Sequence, residues 1–145
     1  MDLSTAASLL AEQHGLVVVS TARADGSIQS TLVNAGVLAH PVSGVEVVGL
    51  VAGGPVKLAN LRARPWATVT GVSGWRWATV EGDAELAGPD DPLPGVPDAE
   101  VPGLLRAIFT AAGGTHDDWD EFDRTMARER RAAVLVRPGR VYGVA

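Results

Sequence analysis

The chain has 145 residues, 46% of them hydrophobic, with no cysteine and a net charge of −5. That length suits a single domain over residues 1–145, burying about 68–70% of its unfolded surface. The missing cysteines exclude a disulfide framework, a thiolate zinc site and a cysteine nucleophile. No uncharged apolar run reaches the roughly 18 residues of a membrane helix, and Met1-Asp2-Leu3-Ser4 has neither the basic start nor the apolar run of a secretion signal. A cytoplasmic protein that makes no membrane contact is expected.

Charge is unevenly distributed. Residues 47–80 carry Lys57, Arg62, Arg64 and Arg76 and no acid, whereas residues 81–123 carry twelve acids against Arg106 alone. A pI near 5.1 speaks against nucleic acid and leaves a small anionic ligand near residues 53–76 as the natural partner of the basic segment. The acidic block reads as solvated surface.

In chain order, Ser4 to Gly15 predicts a short helix with Gly15 at its left-handed C-terminal position. Leu16–Arg23 is β-branched and turns at Asp25-Gly26 into a return strand from Ile28 to about Ala39. Val45–Ala52 is an apolar strand, broken by Gly53-Gly54-Pro55. A helix over 56–64 follows, with Pro55 in its first turn and Pro65 stopping it. Residues 66–73 and 75–86 pair as a second hairpin across Ser73-Gly74, and the proline-rich 88–97 is a surface connection. Helices are predicted at about 98–112 and from Thr115, the latter with a Thr115/Asp118 capping box. A last strand, 132–144, is interrupted by Pro138-Gly139. Six strands joined mostly as hairpins, with peripheral helices, predict a mainly β, six-stranded closed or split barrel.

Lys57 is the only lysine in the chain. It follows Gly53-Gly54 at a predicted helix start, where free amides and a close backbone approach make a seat for an anion. Trp75 and Trp77, two apart on a predicted strand, share a face and can wall a flat ring, pack on the sheet or seal a dimer seam. His116 stands among Asp117, Asp118, Asp120 and Glu121, but capping and the helix dipole account for those acids, and no metal site is expected. His14 and His40 read as solvated. No hydrolase elbow, zinc-helix motif or acid pair is present, so a cofactor is expected to carry any chemistry and no side chain is assigned a catalytic role.

Four segments carry a family resemblance: Ala24-Asp-Gly-Ser-Ile-Gln29, Lys57-Leu-Ala-Asn-Leu-Arg-Ala-Arg-Pro65, Gly74-Trp-Arg-Trp-Ala-Thr-Val-Glu-Gly82, and Gly114-Thr-His-Asp-Asp-Trp-Asp-Glu-Phe122 with Arg140-Val-Tyr-Gly143. In their order and spacing the chain resembles the flavin/deazaflavin oxidoreductases of the FMN-binding split-barrel class, relatives of pyridoxamine 5′-phosphate oxidase. The resemblance is to their B branch, which uses the deazaflavin coenzyme F-420. It implies a homodimer with two cofactor sites between subunits. Lys57 and Asn60 would hold the cofactor phosphate, with Arg62 and Arg64 as weaker candidates. Gln29, Ser30, Thr31, Val51 and Ala52 would line the ring, and Trp75 and Trp77 would come from the partner. Where such proteins often carry further arginines, this sequence has Pro55 and Ala59. The implied activity is hydride transfer from reduced F-420 to a small, planar, unsaturated molecule. The alternatives are an FMN-binding oxidoreductase and a non-catalytic cofactor carrier.

Overall fold

The structure is a computed structural model that describes residues 1–145. Two long hairpins start the barrel. β1 (Leu16–Ala22) and β2 (Ile28–Ala39) run antiparallel from Leu16–Asn34 to Ala22–Ile28. β4 (Trp66–Ser73) and β5 (Arg76–Ala87) pair from Trp66–Asp83 to Ser73–Arg76. β1 also pairs with β4, β2 with β3 (Glu46–Ala52), and β3 with β6 (Ala132–Val136), which reaches back to β5. The order β1-β2-β3-β6-β5-β4 thus closes on itself as six antiparallel strands.

A seventh strand, β7 (Arg140–Val144), continues β6 along the edge of β5. The last predicted strand is therefore two. Pro138 has no N–H to give, and the join is bridged by Arg137 N–H to Asp83 O and Gly139 N–H to Glu81 O.

The ring is not sealed everywhere. Residues 28–34 of β2 pair only with β1, while 35–39 pair with β3. At its other end β3 leaves β2 and keeps only β6, through Val51–Ala133 and Ala52–Ala132. This gap beside residues 28–34 and 51–53 is the split.

Two apolar cores flank the β3–β6 pair. One fills the barrel and is capped by Leu9 and Leu10 of α1 (Leu3–Glu12); the other packs α3 (Val101–Ala111) and α4 (Trp119–Arg128) on the outside. Both faces of β6 are buried, Val134 and Val136 toward the barrel and Ala133 and Leu135 toward the helices, which is why the segment reads as an unbroken apolar run. Val134, Leu135 and Val136 each contribute about 1.5–3 kcal/mol by leaving water. Gly36 lets α3 lie directly on β2: a Cβ there would sit 2.2 Å from the Ala111 carbonyl.

Local details correct the sequence reading. Gly74 takes φ +63 in the second hairpin turn, so Trp75 belongs to the turn and not to β5, and does not share a strand face with Trp77. α4 starts four residues later than its predicted cap. Asp118, not Thr115, accepts the Glu121 N–H at 3.1 Å, while the Asp118 N–H is itself held by His116 Nδ1 at 3.0 Å. His40 is buried, its Nδ1 accepting from Val42 and Ser43 N–H and its Nε2 lying 3.0 Å from Glu85. The acidic block is not simply solvated surface: Asp90 pairs with Arg130 and Asp91 with Arg62, which ties 88–97 down, and Asp123 pairs with Arg106, which joins α4 to α3. No helix is long and apolar enough to cross a membrane.

Candidate cofactor cleft at the barrel split

The basic corner of the split is built around α2 (Pro55–Ala63). Pro55 at the first helical position has no N–H, and the amides of Val56 and Lys57 find no backbone partner, so the first turn presents free donors and the positive end of the helix dipole. Lys57 is only 6% exposed and has neither an ion-pair nor a hydrogen-bond partner. Burial, helped by the charge of Arg131, lowers its pKa from the ordinary lysine value. Arg131, at the end of α4, lays its side chain over Gly53, and its one carboxylate partner is Glu129 at 3.0 Å. Two cations therefore stand beside a helix N-terminus, and Glu129, bonded to Arg131, is the one acid paired with either of them, an arrangement that favours an anion.

The other cations of the segment are engaged. Arg62 grips Asp91 through Nε and Nη2 at 2.7 and 2.8 Å, and Arg76 pairs with Glu12. Arg64 donates to the Ala22 carbonyl at 2.8 Å and to Asn60 Oδ1 at 3.4 Å. Asn60, buried, gives Nδ2–H to Thr21 Oγ1 at 3.1 Å, and Thr21 donates on to Gln29 Oε1 at 3.2 Å. The Asn60 side chain thus ties α2 to β1 and β2, a role the sequence did not reveal.

Strand alternation sorts the β2 candidates. Gln29, Thr31 and Val33 share the inward face, and Thr31 Oγ1 is buried with no partner at all. Ser30 points the other way and bonds Ser20 at 2.8 Å on the outer surface. On β3, Val51 is partly exposed, whereas Ala52 packs in the barrel core, so its side chain cannot line a ring. Trp77 meets Tyr142 edge-on at 6.0 Å, and Trp75 is 97% exposed. Neither indole reaches the split of its own protomer.

A cleft of about 810 Å3 opens between this corner and the helices. Leu32, Val33 and Val51 form the strand side, Phe109, His116 and Phe122 the helical side, and Arg131 stands where the cleft meets Gly53. Phe109 and Phe122 lie 5.1 Å apart, and His116 leans on Trp119 at 5.8 Å. Such a cleft, apolar with a few fixed polar groups, suits a flat ring carrying an acidic arm. Thr31, with its orphaned hydroxyl, and the unpaired Lys57 do not line this cleft themselves; they are next to its lining residues Leu32 and Arg131. The sequence reading missed Arg131 and Phe109. The basic run 124–131 was visible, but nothing local tied it to Gly53.

No family model matches the sequence. Among solved structures, the chain is similar to an F-420 reductase, with 18% identity over 93% of this chain and 94% of that one and a TM-score of 0.61. It is similar to a pyridoxamine 5′-phosphate oxidase-related, FMN-binding protein from Nostoc punctiforme, with 12% identity, coverage of 97% and 80%, and a TM-score of 0.65. It is also similar to a heme-binding protein from Mycobacterium smegmatis, with 18% identity and a TM-score of 0.61, where 99% of this chain covers 54% of the other. The chain therefore has the split β-barrel fold of these proteins, the architecture its sequence resemblance implied.

Proposed function

We propose that the protein binds a flavin-type cofactor, the deazaflavin F-420, in the cleft beside the barrel split and is an oxidoreductase acting on a small, planar, unsaturated molecule. The observation that carries this reading is Lys57, a side chain only 6% exposed whose ammonium has no partner, beside the free amides of α2 and the Arg131 guanidinium. A largely desolvated cation without a partner is costly, and a cofactor phosphate is the anion that would relieve it. Lys57, Arg131 and the Val56 and Lys57 amides would hold the phosphate. Thr31, Gln29 and Val51 would meet the ring along the unpaired β2 edge, while Phe109 and Phe122 keep the cleft dry. When bound, reduced F-420 supplies a hydride. The chain's own residues fix the ring plane and exclude water, so the gain comes from orientation. No side-chain acid or base is needed.

The outer face of the barrel supports a homodimer. Leu16, Val18, Ile28, Leu32, Val72 and Val144 are large apolar side chains that stand exposed on β1, β2, β4 and β7. A twofold partner covering them would bring the partner subunit's Trp75 and Trp77 toward the split.

A second reading, FMN as cofactor, is favoured by the small number of free cations. With Arg62 bound to Asp91 and no charge at Pro55 or Ala59, the corner offers enough for one phosphate and little for a longer anionic tail. Parallel equilibrium titrations with F-420 and FMN, followed by cofactor fluorescence, decide between them. The proposal expects saturation at one cofactor per protomer, tighter for F-420. Tighter binding of FMN selects the second reading, and binding of neither overturns both. Tight binding without turnover on enones and quinones makes the protein a carrier.

A further inference from the structure

We infer that His116 is the specificity-determining hydrogen-bond donor of the cleft, and that the ligand it selects is a flat conjugated carbonyl compound, a quinone or an enone. The inference rests on the cleft being the substrate side of the proposed site. His116 Nδ1 accepts the Asp118 backbone N–H at 3.0 Å. A nitrogen that accepts a backbone N–H carries no proton, so the ring proton is on Nε2. Asp117 Oδ1, at 3.9 Å from Nδ1, is too far to compete for that position. Nε2 makes no hydrogen bond in the protein, and His116 lines the cleft.

The ring is also fixed in orientation. Trp119 lies tilted against it, at 33° and 5.8 Å, while Phe109 and Phe122 meet it edge-on at 6.3 and 5.7 Å. An imidazole clamped on three sides, with its acceptor nitrogen already used, presents one ring N–H donor from a helical wall that also carries Thr115, Glu121 and Thr125 among Phe109, Phe122 and Met126. A carbonyl oxygen on a flat ligand satisfies that donor, and a hydrocarbon of the same shape leaves it bare. The contact is one of binding: the Nε2 proton is shared with the carbonyl oxygen and is not transferred.

The test is a binding measurement on the cofactor-free protein, so its outcome does not depend on which cofactor, if any, is used. Binding of 2-methyl-1,4-naphthoquinone and of 2-methylnaphthalene is followed by competition for a fluorescent apolar probe in the wild type, His116→Phe and His116→Gln. The wild type is expected to prefer the quinone about tenfold, the value of one neutral hydrogen bond. His116→Phe should bind the hydrocarbon as well as wild type does and lose the preference. His116→Gln, which keeps a donor, should restore much of it. A preference that survives in His116→Phe, or a wild type that binds both ligands equally or neither, overturns the assignment. Failure of F-420 and FMN to bind, with this pattern intact, would instead count against the cofactor reading alone.

Discussion

Gly53 and Arg131 are in direct contact although 78 positions apart: a Cβ placed on Gly53 would lie 2.5 Å from Cδ and Nε of the Arg131 side chain. The contact joins the end of β3 to the end of α4 and puts a guanidinium beside the α2 amides. Gly53→Ala should displace the arginine, and because a long side chain can swing away, the cost to the fold should be small. The expected result is a thermal midpoint close to wild type and a three- to tenfold weaker affinity for the cofactor, on the order of 1 kcal/mol. Unchanged affinity would remove Arg131 from the phosphate corner.

Lys57 is predicted to lower the stability of the cofactor-free protein. Lys57→Met keeps most of the apolar stem and removes a buried, unpaired charge, so the variant should unfold at higher denaturant, by on the order of 1 kcal/mol. The sign with pH follows from linkage. The folded-state pKa lies below the unfolded value of about 10.4, so at pH values between the two the unfolded chain binds more protons and wild-type stability rises with pH. The advantage of Lys57→Met should therefore be full at neutral pH and shrink as pH approaches about 10. Chemical denaturation at several pH values checks this. A variant less stable than wild type at neutral pH contradicts it.

The Arg106–Asp123 pair makes the opposite prediction at low pH. Asp123 is held below the usual carboxylate range, first by its hydrogen bond to Arg106 at 2.9 Å and then by the arginine charge. Its contribution is present above the unfolded carboxylate pKa, about 3.9, and is lost as pH falls through the lower folded value. Asp123→Asn should flatten that part of the acid limb and change little at pH 7, since both partners are partly exposed and screened. An acid limb identical to wild type would show that the latch between α3 and α4 is energetically silent.

Oligomeric state tests the outer face. Analytical ultracentrifugation of the wild type should give a dimer. Val18→Glu, on an exposed site between Leu32 and Thr70, should give a folded monomer with weakened cofactor binding. A wild-type monomer at micromolar concentration contradicts the shared-site arrangement.

Much of the barrel was legible because its signals are local. Asp25-Gly26 and Ser73-Gly74 mark hairpins, and the apolar run of β3 marks a strand buried on both faces. The uniqueness of Lys57 drew attention to the corner now proposed as the anion seat, although its burial could not be read from neighbours that are themselves small and apolar. The cleft was less legible because it joins residues 32–33, 51, 109–122 and 131, which only the long connection from β5 through α3 and α4 to β6 brings together. Trp75 was misplaced because a two-residue spacing looks like strand alternation until Gly74 takes a left-handed turn. His116 was weighed only against its acidic neighbours in sequence, whereas its spatial neighbours are Phe109, Trp119 and Phe122.

The central claim, that a cofactor phosphate sits against Lys57 at the start of α2, is tested most directly by equilibrium titration of wild type and Lys57→Met with F-420 and FMN at low and high salt. Loss of the charge-assisted contact, about 1.5–3 kcal/mol, should raise the dissociation constant roughly 10- to 100-fold for the preferred cofactor. Affinity should fall with salt in the wild type and less steeply in the variant. Equal affinity and equal salt dependence in the two proteins would contradict the account.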